Sequence, residues 1–115
     1  MAIRFKKYKH KAGGDRTFRA IRITDRNLAE LVAYICRNGG SAFATSGEGG
    51  KPVRIRIKQR NYGHNWGKRD WRVAKVGDFI VRHDFEPGDL DRVTKSVEFE
   101  RVNEDQFEAG AELLV

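Results

Sequence analysis

A chain of 115 residues with 39% hydrophobic and 34% charged side chains has the size and composition of one globular domain, long enough to bury a core but too short for two independent ones. A single cysteine, Cys36, excludes an internal disulfide, three scattered histidines give no zinc-ligand spacing, and no run approaches the roughly 18 apolar residues of a bilayer span. The net charge of +7 is segregated, with eight Lys and Arg against one Asp over residues 1–23, ten against two acids over 51–82, and three against ten over 83–115. Such segregation implies a field with a direction, suited to drawing an anion to one face.

Taken in chain order, residues 1–15 read as a flexible basic segment, and Thr17 to Ile23 as a first strand through Phe18, Ile21 and Ile23. Asn27-Leu28-Ala29-Glu30 has the form of a capping box. Leu28, Leu31, Val32 and Ile35 follow at helical spacing with Cys36 beside them as a buried small hydrophobe, and Gly39-Gly40 supplies the stop. Ser41 to Thr45 predicts a short strand. The glycine-rich Ser46 to Lys51 turn is not a phosphate loop, because Thr45 stands where the first glycine is needed and Pro52 where the Ser or Thr is needed.

Val53 to Arg60 is the most informative segment. Val53, Ile55 and Ile57 alternate with Arg54, Arg56, Lys58 and Arg60, and a period of two places the four cations on one strand face. A row of like charges costs repulsion unless anions or acidic side chains answer it. It therefore reads either as a phosphate-binding surface or as a solvated face neutralised by the acidic C-terminal strand. Asn61 to Lys68 follows as a loop carrying Tyr62, His64 and Trp66, with Arg69 just beyond. Aromatics beside Lys and Arg suit a site that stacks a base and neutralises its phosphate. The candidate ligand-binding set is thus Arg54, Arg56, Lys58, Arg60, Tyr62, His64, Trp66, Lys68 and Arg69. Tyr62, Trp66 and Trp71 are the candidates for stacking, of which Trp71, in a strand pattern with Val73, reads as core rather than as a ligand platform.

Val76-Gly77-Asp78 predicts a tight turn into Phe79 to Arg82, a strand apolar on both faces, and Glu86-Pro87-Gly88-Asp89 a second turn. Val93 to Val102 predicts a strand with Val97 and Phe99 inward and Glu98 and Glu100 outward. Asn103 caps a closing helical turn through Gln106, docked by Phe107. The expected architecture is a single-domain α+β fold over residues 1–115, one small mixed or antiparallel sheet covered by one main helix, with a short C-terminal helical turn.

No catalytic constellation is visible. His83-Asp84 are neighbours on a strand and point to opposite faces, and His10 and His64 need partners that only the fold can bring. No Ser sits in a nucleophile elbow. The chain reads as a non-enzyme with no metal and no cofactor.

The order of motifs resembles a group of small phage-encoded accessory proteins, frequent in phages of actinobacteria and mostly of unassigned function. The resemblance rests on Asn27-Leu28-Ala29-Glu30-Leu31, on Val76-Gly77-Asp78-Phe79-Ile80-Val81, and on Asn103 to Glu108 ending in Phe107-Glu108. The segment Asp84 to Lys95, the Asn61 to Lys68 loop and the basic strand depart from that pattern. The resemblance implies work inside an infected bacterial cell, in host takeover or counter-defence. With no apolar run in the basic start, the expected location is the cytoplasm. The charges imply an anionic partner, either a nucleotide signal or a nucleic acid. The alternative is a protein–protein inhibitor docking the same basic and aromatic surface on an acidic host or defence protein. Short edge strands also allow a homodimer.

Overall fold

A computed structural model of the chain describes residues 3–50, 52–60, 68–89 and 94–114. Its elements run β1 (Lys6–His10), β2 (Thr17–Arg22), α1 (Leu28–Arg37), β3 (Ala42–Ser46), β4 (Pro52–Arg60), β5 (Arg69–Lys75), β6 (Phe79–Phe85), β7 (Ser96–Val102), α2 (Glu104–Gly110) and β8 (Ala111–Leu113). Lys6–His10, read in the sequence as part of a flexible basic segment, is a strand held between β2 and β8.

The expected single sheet is two separate antiparallel sheets, one of five strands in the order β7-β6-β2-β1-β8 and one of three in the order β3-β4-β5. The cause lies in the turn between β5 and β6. Gly77 adopts φ 98°, and the turn is tied to the end of β2 by Gly77 N–H donating to Ile23 O at 2.9 Å and Ile23 N–H donating to Asp78 O at 2.8 Å. The buried Asp78 carboxylate accepts from Lys75 N–H at 3.1 Å and from Arg101 Nε at 3.2 Å. The chain is thereby steered away from β5, and β6 pairs with β2 instead. β4 is already flanked on both sides by β3 and β5, so the smaller sheet is complete within one stretch of sequence.

α1 forms where the apolar spacing predicts it, and Leu28, Leu31 and Ile35 are buried on its inner face. They pack with Ile55 and Ile57 of β4, Ala74 of β5, Ile80 of β6 and Phe99 of β7, so a single core joins the helix and both sheets. Asn27 does not cap through its side chain. It braces the preceding turn, accepting from Thr24 N–H at 2.9 Å and donating to Arg22 O at 2.9 Å. Gly39 takes the positive φ of 88° that stops the helix, whereas Gly40 is required for space: a Cβ there would stand 2.6 Å from Ile35 Cγ2 and 2.9 Å from Phe99 Cδ2. Cys36, expected to be buried, is exposed, and its Sγ donates to Ala42 O at 3.4 Å.

The opposite face of the five-stranded sheet has its own apolar cluster. Phe107 of α2 stacks on Phe79 with ring centroids 3.8 Å apart and packs with Ala20 and Val81. β6 therefore sends Ile80 to one core and Phe79 and Val81 to the other, which is why its sequence is apolar on both faces. Asn103 caps α2 as expected, accepting from Gln106 N–H at 2.8 Å. Among the described residues no helix is long and apolar enough to cross a membrane.

Candidate functional site

The basic row of β4 is set by burial of its alternate residues. Ile55 and Ile57 are fully buried against α1, and strand alternation then turns Arg54, Arg56 and Lys58 to the outer face, where all three are exposed. Antiparallel register supplies their neighbours. Arg54 lies between Thr45 of β3 and Lys75 of β5, Arg56 between Phe43 and Val73, and Lys58 is paired with Trp71. The result is an open sheet face in which aromatic and cationic side chains alternate across three strands.

Phe43, Trp71 and Val73 are 44%, 41% and 46% exposed, a contiguous apolar patch held on the surface. The Phe43 and Trp71 rings meet edge to face at 5.1 Å between centroids, and the Lys58 ammonium stands 5.9 Å from the centre of the Trp71 ring. No carboxylate of the described residues forms an ion pair with Arg54, Arg56, Lys58 or Lys75. Asp70 is in register with Gln59 and so belongs to the other face of β5. Arg54 and Lys75 are direct cross-strand partners of like charge, an arrangement that costs stability.

Neutralisation by the acidic C-terminal strand, the competing expectation for this row, occurs only at its far end. β7 pairs with β6 in the other sheet and meets β4 near Gln59 and Arg60. There Arg60 and Arg69, register partners on β4 and β5, both approach Glu98 Oε1, at 3.3 Å and 2.6 Å. Gln59 Oε1 accepts from Arg101 N–H at 2.9 Å, satisfying a donor on the β7 edge. Glu98, expected to face outward, is buried. Burial pushes its carboxyl up, but the hydrogen bonds and charges of Arg69 and Arg60 together outweigh that and hold it below the usual carboxylate range.

Of the predicted set, then, Arg54, Arg56 and Lys58 share one exposed face, while Arg60 and Arg69 tie the two sheets together through Glu98. Lys68 is exposed immediately before β5. Tyr62, His64 and Trp66 lie outside the described residues.

Phe43, Trp71, Val73 and Lys75 complete the face and were not among the predicted site residues. Trp71 and Val73 read as core because large apolar strand residues usually are. Their register with Arg56 and Lys58, however, puts both on the outer face of β5, and Ala74 is the residue of that strand buried beneath it. The available signal was the small residue at alternate positions: Ala42 and Ala44 beside Phe43, and Ala74 beside Val73.

A second concave region lies on the five-stranded sheet. A cavity of about 240 Å³ is lined by His10, Arg16, Thr17, Phe18, His83 and Glu100 among others. Here His83, which the sequence pairs with no base, has its Nε2 3.4 Å from Glu100 Oε2 across β6 and β7. Its chain neighbour Asp84 instead accepts from Arg82 Nε at 3.1 Å. The described residues hold no group of three or more His, Cys, Asp or Glu placed to share a metal ion. Asp84 and Glu100 line this cleft beside Arg16, so opposite charges meet there, unlike on the outer face of β4.

Comparison with protein-family models, with curated proteins and with solved structures finds no match for this chain.

Proposed function

We propose that this protein binds a phosphate-bearing ligand, a nucleotide or a nucleic acid, on the outer face of the three-stranded sheet, and acts by binding rather than by catalysis. The observation that carries the reading is the set of cations that form no ion pair among the described residues, Arg54, Arg56, Lys58 and Lys75, bordering the exposed Phe43–Trp71 pair. Phosphates answer the repulsion along the row, and a base face covers the exposed rings. Lys68 extends the positive field at one end of β5. The motif resemblance supports placing this activity in an infected bacterial cell, in host takeover or counter-defence.

The test is binding of fluorescent nucleotides and oligonucleotides to the intact chain and to the triple variant Arg54→Ala/Arg56→Ala/Lys58→Ala. Binding by the parent and its loss in a folded triple variant support the reading. Equal binding by both chains removes it. If neither chain binds any phosphate probe, but an acidic protein is captured from nuclease-treated lysate by the parent alone, the face is a protein-docking surface instead.

A further inference from the structure

Resting on that reading, we infer that the ligand of this face is a single-stranded nucleic acid, bound with little sequence preference, and neither a duplex nor a free nucleotide. The aromatic pair decides between single strand and duplex. Trp71 and Phe43 stand on the two edge strands, β5 and β3, with their rings 5.1 Å apart and cations beside them, Lys58 in the Trp71 row, Arg56 in the Phe43 row and Arg54 with Lys75 in the next. A ring in that position can stack only on a base whose face is open, and the bases of a duplex present edges to a protein and faces to one another. A duplex resting on the cations would press the rings against its sugars and leave them unstacked.

The extent of the cationic array decides between a strand and one nucleotide. Arg54 to Lys58 covers about 13 Å at the strand rise of roughly 3.3 Å per residue, and Lys75 places a further charge on the adjacent strand. That is room for successive phosphates along a backbone. The face is also open: Phe43, Arg54, Arg56, Lys58, Trp71 and Val73 line none of the four best-formed cavities of the described surface, and only Lys75, at its margin, borders one. Tight capture of a lone nucleotide calls for a concave pocket that covers most of the ligand, whereas a strand gains its affinity by repeating a modest contact along its length.

Low sequence preference follows from the composition of the face. Across the rows Thr45–Arg54–Lys75, Phe43–Arg56–Val73 and Lys58–Trp71, the neutral hydrogen-bonding groups are the Thr45 hydroxyl and the Trp71 indole N–H, too few to read base edges along a strand. Stacking and charge neutralisation accept any base.

The experiment is fluorescence anisotropy on the full chain with labelled oligo(dT), oligo(rU), a duplex of the same length and labelled ATP, repeated with Trp71→Ala and Trp71→Phe. The expected result is that the single strands bind at least about ten-fold more tightly than the duplex, that Trp71→Ala removes most of this advantage, and that Trp71→Phe, which keeps a ring, restores part of it. Oligo(dT) against oligo(rU) then tells whether DNA or RNA is preferred. Equal affinity for strand and duplex, indifferent to Trp71, overturns the single-strand inference and leaves phosphate binding standing. Tight ATP binding without oligonucleotide binding does the same. No binding of any probe removes both.

Discussion

Lys58 and Trp71 are register partners on β4 and β5, and the Lys58 ammonium stands 5.9 Å from the centre of the Trp71 ring. The pairing places a positive charge and an open aromatic surface within the span of one nucleotide, and both are exposed. A cation over an exposed ring contributes about 0.5–1 kcal/mol, so the pair orders the face without consuming the charge.

Trp71→Ala should therefore separate binding from folding. Loss of the cation–ring contact and of the edge contact with Phe43 costs about 1 kcal/mol in a urea unfolding measurement. Affinity for oligo(dT) falls by about ten-fold or more in the same preparation.

Salt dependence counts the phosphates. If Arg54, Arg56, Lys58 and Lys75 each neutralise one, the slope of log K against log salt for a single strand is about −3, and each replacement by Ala reduces its magnitude by about 0.7. Arg60→Ala should leave the slope unchanged, because Arg60 is paired with Glu98. Affinity measured across a salt series reads both.

Glu98→Gln should destabilise the chain by about 2–3 kcal/mol. The value sits below the roughly 3–5 kcal/mol for a fully buried pair because the Arg69 side chain stays 40% exposed and is screened by solvent. The folded Glu98 carboxyl lies below its usual range. Its contribution is thus complete above the ordinary glutamate value of about 4.3 and is lost as pH falls through the lower folded value. Urea midpoints taken from neutral pH into acid should fall less steeply for Glu98→Gln than for the parent.

Adjacent residues of β4 should differ sharply in their contribution to folding. Ile57→Ala opens a cavity against α1 and costs about 2–5 kcal/mol, whereas Lys58→Ala costs no more than about 1 kcal/mol, the worth of its contact with the Trp71 ring. Gly40→Ala should cost about 1–3 kcal/mol, because its methyl group meets Ile35 and Phe99. Equilibrium unfolding of the three variants checks the alternation and the close approach together.

The elements whose signal is local were readable from the sequence. α1 follows from Leu28, Leu31 and Ile35 at helical spacing, β4 from its strict alternation, and the α2 cap from Asn103 and Gln106. What depends on distant pairing was not. The separation into two sheets depends on the hydrogen bonds that Ile23 makes with Gly77 and Asp78, more than fifty residues away along the chain. Glu98 alternates with Phe99 and so reads as solvent-facing, yet it is buried where β7 meets the ends of β4 and β5. Trp71 follows ordinary hydrophobic logic inward, and its register with the outward-facing Lys58 turns it out. The basic row was therefore visible in Arg54, Arg56 and Lys58, while the aromatic half of the face, Phe43 and Trp71, required the register.

The most direct test of the account is a two-dimensional NMR titration of the isotopically labelled chain with oligo(dT), following the backbone amides and the tryptophan indole signals. The account predicts shifts concentrated at Phe43, Arg54 to Lys58 and Trp71 to Lys75, with the Trp71 indole among the largest. Shifts confined to the His10–His83 cleft, or none at saturating oligonucleotide, would contradict it.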